Sequence, residues 1–247
     1  MADIEGQPNR LSLWVVILTG LMAVVSLAMA ITTLPRSGPY CRSGCVGYPY
    51  TDVAAFVPRD YLWMYAAVVL TLLVMALMEC IHYQVPPDRQ LLSRIGVAFT
   101  IMGVAILVVD YASQLTFIQA ALVLGETEGL SPWTQYNPHG IFIALENVGY
   151  MMINIAFLFI GISMLRIPRR LWRVAGWIFT VGGLATLALL VFYSAVYQVR
   201  LDYRFEVWAI FVTWLVLIAA PVLLTIALLR TEPVSHQRAK RFEMSRS

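Results

Sequence analysis

Six apolar runs constrain the fold of this chain more than any other feature of its sequence. Each run holds about 20 or more residues with few charges, and a helix of about 20 apolar residues crosses a hydrocarbon core of roughly 30 Å. The sequence therefore predicts an all-α fold, an integral membrane bundle of six transmembrane helices. The predicted spans are residues 11–34, 61–83, 91–124, 139–165, 174–197 and 205–229. We expect one domain over residues 1–230 and a basic tail over residues 231–247.

Composition supports the same class of protein. Hydrophobic residues make up 60% of the 247 residues and charged residues 13%, with a mean hydropathy of +0.75. Soluble domains are about 45–50% apolar. The net charge of +3 is small and gives no indication of a nucleic-acid partner. Lys240, the single lysine, lies outside every predicted span, which excludes a retinal Schiff base within the bundle.

The basic residues predict how the bundle is oriented. Six spans place both chain ends on one side, and 12 of the 17 Lys and Arg residues fall on that side. Cytoplasmic segments carry the excess of basic residues, so both termini are predicted to be cytoplasmic. The remaining five residues are Arg36, Arg42, Arg59, Arg200 and Arg204.

Two of the three cysteines lie in the loop between the first two predicted spans. Cys41 and Cys45 form the motif CRSGC on the predicted outer, oxidising side. A disulfide that closes a small loop is the simplest interpretation there, and two free thiols or a redox-active pair are the alternatives. Cys80 lies within the second span, where a cysteine usually acts as a small buried hydrophobe.

The stretch from Thr134 to Asn154, TQYNPHGIFIALENVGYMMIN, places a carboxylate inside an apolar helix. Asn137, Pro138 and Gly140 indicate a turn followed by a helix start. A carboxylate within a membrane helix costs roughly 2.5–3.5 kcal/mol on insertion scales, so it normally faces protein or water. Glu146 is therefore a candidate functional residue. By the 3.6-residue helical period, its face also contains His139, Ile143, Asn147, Tyr150 and Asn154.

The third span supplies a second carboxylate. Asp110 and Gln114 follow a stripe of small residues at helical spacing, of the kind that lets membrane helices approach closely. At 1.5 Å per residue, Asp110 and Glu146 fall at a comparable depth in the outer half of their spans. If the third and fourth spans pack as antiparallel neighbours, they would enclose an outward-facing polar pocket. Its predicted lining is Asp110, Gln114, Glu146, Asn147 and Tyr150.

Two buried acids at one depth allow three interpretations. Burial and mutual repulsion favour protonation of at least one acid, and the two can share a proton. The simplest interpretation is a hydrogen-bond network that only fixes helix packing. The second is a site that binds a ligand, a proton or a cation, in which Asn154 also takes part. The third is acid–base catalysis by Asp110 and Glu146.

A charge cluster precedes the sixth predicted span. Arg200, Asp202, Arg204 and Glu206 are interpreted as a solvated outer surface, from which Arg204 could reach over the pocket and attract an anionic headgroup. The sequence contains no phosphate loop, zinc-ligand spacing or nucleotide fingerprint, so neither a cofactor nor a metal site is predicted.

Three segments resemble a group of uncharacterised bacterial polytopic membrane proteins. They are VDYASQLTFIQ at 109–119, GETEGLSPWTQYNPHGIFIALENVGYMM at 125–152 and LDYRFEV at 201–207. YNPHG with the following ALE is the most specific part. The resemblance implies a bacterial inner-membrane location and implies no particular substrate.

Three functions fit these observations. The first is a small protein that binds or transports a small ligand, a proton or a cation through the polar pocket. The second is an intramembrane isomerase or cyclase acting on a lipid or isoprenoid, and the third is an accessory or structural subunit of a membrane complex. Expected partners are membrane lipids, a small-molecule or lipid ligand, and a second copy or another subunit. A pocket open sideways to lipid would favour the enzyme, broken helices around water the transporter, and a filled bundle the subunit.

Overall fold

All regular structure in the described part of the chain is helical. A computed structural model describes residues 7–230, with side chains from Arg10 onward, so the predicted tail at 231–247 lies outside the described residues. Short 3-10 turns occupy parts of the connecting segments. The helices are α1 (Gln7–Thr32), α2 (Leu62–Gln84), α3 (Gln90–Ser113), α4 (Gln119–Leu124), α5 (Ile141–Met164), α6 (Arg170–Tyr197) and α7 (Arg204–Leu229).

Six of the helical stretches are long and apolar enough to cross a membrane. The third of them, Pro87–Leu124, contains a π-helical turn at Gln114–Ile118 that joins α3 to α4. Each of the other five corresponds to one long helix, namely α1, α2, α5, α6 or α7. The expectation of an all-α fold with six helices long and apolar enough to span a membrane is confirmed. A π turn accommodates one extra residue without breaking the helix, so the long third stretch remains continuous.

The long helices form a closed ring, and α5 is a member of it that also makes contacts across the ring. Going around the ring, α1 packs on α2, α2 on α3, α3 on α5, α5 on α6, α6 on α7, and α7 on α1. In addition, α5 contacts α7 and α2, so it has protein on most sides. The polar face of α5 therefore lies against other helices, where its hydrogen-bonding groups can find partners.

Glycines allow the closest helix contacts. A Cβ atom added at Gly103 on α3 would lie 2.8 Å from the Gly149 carbonyl oxygen on α5, and one added at Gly149 would lie 2.6 Å from the Leu107 side chain. Such distances are shorter than real Cβ contacts allow. Gly103 and Gly149 thus let two backbones meet, as small residues commonly do between membrane helices.

Replacing Gly103 with valine tests this contact. We expect Gly103→Val to lower the free energy of unfolding by about 1–3 kcal/mol, because the added methyls must push α3 away from α5. Thermal or denaturant unfolding of the purified protein in detergent measures the loss. Ala105→Val adds the same kind of side chain to an exposed position of α3 and should change little. Equal stability of the two variants would contradict the assigned packing.

The segments 33–61, 125–140 and 198–203 meet at one end of the bundle, called here the long-loop end. Ser37 Oγ donates to the Tyr136 carbonyl oxygen at 2.5 Å and lies 2.7 Å from the Tyr203 hydroxyl. Tyr203 in turn donates to the Gln135 carbonyl oxygen at 2.9 Å. Burial raises the pKa of Tyr203 and of Tyr136 above the ordinary value for tyrosine, so both hydroxyls stay neutral.

The CRSGC motif lies in the first of these segments. Cys41 and Cys45 are joined by a disulfide with a Cα–Cα distance of 5.9 Å, and Cys80 is a free, half-buried thiol in α2. The disulfide closes a short loop at the long-loop end.

Candidate functional site

Three carboxyl groups from three helices meet inside the bundle. Asp110 on α3, Glu146 on α5 and Glu206 at the start of α7 are 1%, 0% and 7% exposed. They come together because α5 lies between α3 and α7. We call these three residues the acid cluster.

The acid cluster contains no compensating cation. Glu146 and Glu206 lie within hydrogen-bonding reach of each other, and Asp110 interacts electrostatically with both. Within residues 10–230, no Arg or His side chain forms an ion pair with any of the three. Three neighbouring carboxyl groups in an apolar bundle cannot all be ionised, so the cluster must hold protons.

Two tyrosines extend the cluster along α3 and α5. The Tyr111 hydroxyl donates to Glu146 Oε1 at 2.7 Å and lies 2.9 Å from the Tyr150 hydroxyl. Since the single Tyr111 proton goes to Glu146, Tyr150 is the donor in the second bond. The order Tyr150, Tyr111, Glu146 is a chain of hydroxyls that ends on a carboxyl group.

Each acid keeps one oxygen without a hydrogen-bond partner among the described side chains and backbone. These oxygens are Asp110 Oδ2, Glu146 Oε2 and Glu206 Oε2. Buried acceptors usually have partners, and leaving one unpaired costs about 1–3 kcal/mol or more. A proton shared between acids, or a bound molecule, would satisfy them.

The structure brings together Asp110, Glu146 and Tyr150 but gives Gln114 a different role from the predicted one. The Gln114 side chain donates to the Trp133 carbonyl oxygen at 2.6 Å and accepts from the Gln135 backbone N–H at 3.2 Å. Both ends of its amide therefore hold segment 125–140 on the bundle. Asn147 is half-buried, and its Oδ1 has no partner in the described part of the chain.

Asn154 lies deeper in α5 and connects three helices. Its Nδ2 donates to the Thr213 hydroxyl on α7 at 2.7 Å and to the Tyr150 carbonyl oxygen at 2.9 Å, and its Oδ1 accepts from Thr186 on α6 at 3.0 Å. With these hydrogen bonds formed, Asn154 fixes the packing of α5, α6 and α7.

Removing the Asn154 amide should therefore reduce stability. We expect Asn154→Leu to lower the free energy of unfolding by about 1–2 kcal/mol, the size of interhelical side-chain hydrogen bonds in membranes. Denaturant unfolding in mixed micelles measures the loss. Leu158→Ala, one turn further along α5, serves as a packing control. A destabilised Asn154→Leu variant whose ligand binding changes as well would contradict a purely structural role.

A cavity of about 380 Å³ adjoins the acid cluster at the long-loop end. We call it the α1–α7 cavity, because its apolar walls come mainly from Leu27 and Ile31 on α1 and from Ile210 and Trp214 on α7. Glu206 is the one member of the acid cluster in its lining. Its polar lining also includes Arg36, Ser37, Asp60, Gln135, Tyr136 and Tyr203.

The rim of the α1–α7 cavity is apolar and exposed. Ile31, Leu34, Val207 and Phe211 all line the cavity and also lie on the outer surface of the bundle. Ile31 lies at the end of α1, Leu34 lies just after it, and Val207 and Phe211 lie in the first turns of α7. The cavity thus opens toward the apolar side surface of the bundle.

The position of the cavity differs from the sequence prediction. The predicted pocket lay between the third and fourth spans, but Asp110, Gln114, Glu146, Asn147 and Tyr150 are absent from the cavity lining. At Gly103 and Gly149 the backbones of α3 and α5 come into contact, and the Leu107 side chain packs against Gly149. The small residues that indicated close helix packing therefore bring α3 and α5 together beside the predicted lining.

Sequence reasoning also missed Glu206, which was interpreted as part of a solvated charge cluster. Its neighbours Asp202 and Arg204 do pair with each other at 2.7 Å, and His139 lies 3.1 Å from Asp202. Glu206, however, lies on the face of α7 that also carries the buried Thr213 at the seven-residue spacing of a helix. That spacing was the available signal.

Arg36 and Asp60 form a second charged feature of the cavity lining. Arg36 Nε donates to Asp60 Oδ2 at 2.9 Å, and the Arg36 guanidinium lies 4.1 Å from the centre of the Phe56 ring. The hydrogen bond to Asp60 raises the pKa of Arg36 above its ordinary value despite partial burial, so Arg36 stays charged.

Comparison of the chain with protein-family models, with curated proteins and with solved structures finds no match.

Proposed function

We propose that this membrane protein binds a small amphipathic molecule in the α1–α7 cavity, with the acid cluster holding a proton beside it. The observation that carries the proposal is the cavity itself. It combines apolar helix walls, an exposed apolar rim and the buried Glu206, which belongs to the acid cluster, whereas Asp60, the other buried acid of the lining, is paired with Arg36. Ligand sites in proteins are typically apolar clefts with a few convergent polar groups.

The polarity of the cavity indicates an amphipathic ligand. Leu27, Ile210 and Trp214 offer only apolar surface to an alkyl or isoprenoid chain, apart from the indole N–H. Ser37, Gln135 and Tyr203 at the long-loop end offer hydrogen-bonding groups. A molecule with one apolar end and one polar end would satisfy both parts, and the apolar rim would admit it from the bilayer.

Glu206 supports the proton part of the proposal. Its Oε2 has no partner within the described residues, while Glu146 lies within hydrogen-bonding reach. A proton on Glu206 could be donated to a bound molecule and replaced from Glu146, which Tyr111 contacts from the other side. In this arrangement Asp110 and Glu146 do not line the cavity, and they take part by sharing protons with Glu206.

The proposed setting is a bacterial inner membrane with the long-loop end outside. The support is the excess of basic residues at the opposite end and the resemblance of segments 109–119, 125–152 and 201–207 to bacterial polytopic membrane proteins. With this orientation the α1–α7 cavity would face the outer leaflet.

Ligand binding accounts for the structure better than the transport and subunit alternatives. A purely structural subunit has no need of an open cavity beside unpaired acids. Transport by alternating access typically uses interrupted helices at the site, whereas α1 and α7 run without interruption past the cavity from Gln7 to Thr32 and from Arg204 to Leu229.

A cavity-filling substitution tests the proposal. We expect Ile210→Trp to reduce the fraction of protein that carries a co-purified small molecule by at least tenfold, because the indole occupies the space of the ligand. Native mass spectrometry and lipid extraction of gently purified protein measure that fraction. Leu215→Trp, on the exposed face of α7, is the matched control. If the wild type and the Ile210→Trp variant both carry only bulk lipid, the proposal is wrong.

An intramembrane acid–base enzyme is the second candidate function, because Glu206, which has an unpaired carboxyl oxygen, lines a cavity with an exposed apolar rim. In that case Glu206→Gln should still bind the molecule but convert it at least about 100-fold more slowly, the usual contribution of a general acid. Asp110→Asn and Glu146→Gln should also slow conversion by disturbing the shared proton.

The measurement compares lipids extracted from cells that produce the wild type or a variant. Glu126→Gln removes an exposed acid at the same end of the bundle and is the control. Identical conversion by Glu206→Gln and the wild type would exclude a catalytic role for the acid cluster.

A further inference from the structure

A second cavity, of about 290 Å³, lies between the end of α1 and the start of α2. It shares Thr33, Leu34, Arg36, Asp60 and Trp63 with the α1–α7 cavity, and its lining also includes Arg59, which the first cavity lacks. Arg36 therefore faces both spaces. The second cavity extends the polar end of the first one toward α2.

Two guanidinium groups share one carboxylate in this second cavity. Arg36 Nε lies 2.9 Å from Asp60 Oδ2, and Arg59 Nε lies 3.2 Å from Asp60 Oδ1. Both arginines thus use Nε, and no acceptor within residues 10–230 takes a hydrogen bond from their terminal NH2 groups. The pair therefore keeps one net positive charge and four terminal NH2 groups that can donate hydrogen bonds to a ligand.

The arrangement is rigid on one side and accessible on the other. The side chains of Arg36 and Asp60 are 14% and 4% exposed, and the Phe56 ring supports the Arg36 guanidinium from one face. The Arg59 side chain is 66% exposed. Planar guanidinium groups bind phosphate and carboxylate in a two-pronged manner, and a fixed guanidinium loses little freedom on binding.

We infer that Arg36 and Arg59 form a subsite for an anionic head group, so that the amphipathic ligand carries a phosphate or carboxylate. The head lies at the junction of the two cavities, and the apolar chain lies between α1 and α7. Glu206, at the start of α7, also lines the first cavity. The inference rests on the proposed function, because the α1–α7 cavity must hold the apolar chain.

Two amphiphiles with the same chain separate the head-group subsite from the cavity. Dodecyl phosphate and dodecanol are titrated onto the full-length protein in nanodiscs of phosphatidylcholine, and the bound fraction is measured by native mass spectrometry. We expect the wild type to bind dodecyl phosphate at least tenfold more tightly than dodecanol. Arg59→Gln should weaken binding of dodecyl phosphate about tenfold, the effect of one lost charged hydrogen bond, and leave dodecanol unchanged.

Matched variants keep the test decisive. Arg42→Gln removes an exposed positive charge from the same end of the bundle and should affect neither ligand. Arg36→Gln should weaken the binding of dodecyl phosphate further. If the Arg36→Gln variant does not fold, the Arg59→Gln variant alone tests the subsite. Inorganic phosphate alone is titrated against bound dodecyl phosphate to distinguish a free anion from a head group.

Each other outcome overturns a defined part. Equal binding of both amphiphiles by the wild type, with both lost in Ile210→Trp, removes the anionic subsite and keeps the cavity proposal. Binding of neither amphiphile above empty nanodiscs removes the cavity proposal as well. A further outcome is displacement of dodecyl phosphate by inorganic phosphate at the same concentration at which dodecyl phosphate itself binds. The dodecyl chain then contributes nothing to affinity, and the inference of an amphipathic ligand is overturned.

Discussion

The structure depends on the need to satisfy carboxyl groups that apolar helices carry into the bundle. Asp110, Glu146 and Glu206 each belong to a helix that is otherwise apolar enough to lie in lipid. A lipid-facing position would cost each of them several kcal/mol, so all three turn inward. α5 lies between α3 and α7 and allows the three groups to meet, and Tyr111 supplies a hydroxyl to Glu146.

Close packing and open space are divided between the two sides of α5. On the α3 side, Gly103 and Gly149 bring backbones into contact, and on the α6 side Asn154 binds Thr186. On the side of α1 and α7, the large side chains of Phe211 and Trp214 on α7 and of Trp63 on α2 line the cavity at the long-loop end. Small residues therefore close one side of the bundle, and bulky residues border the open side.

Much of the fold could be predicted from the sequence because each long helix has a clear apolar run in the sequence. Uninterrupted apolar length fixes a membrane helix almost alone, and the two acids with the strongest sequence signal, Asp110 and Glu146, do meet. The cavity could not be predicted, because it depends on which helices close the ring, and α1 and α7 are far apart in sequence. Glu206 could not be distinguished in the sequence from its near neighbours Asp202 and Arg204, which pair with each other and not with Glu206. Gln114 has helical spacing with Asp110, yet its amide is used by the backbone of segment 133–135, which no periodicity reveals.

The ring closes between α1 and α7, the first and the last of the long helices to be synthesised. Chains assemble from the N-terminus as they emerge from the ribosome. Asp110 and Glu146 are therefore synthesised before Glu206, and α1 is synthesised long before α7, one of its two main neighbours. The α1–α7 cavity consequently cannot form until α7 has been made. A chain that ends before Arg204 would contain two of the three acids and would lack the α7 wall of this cavity.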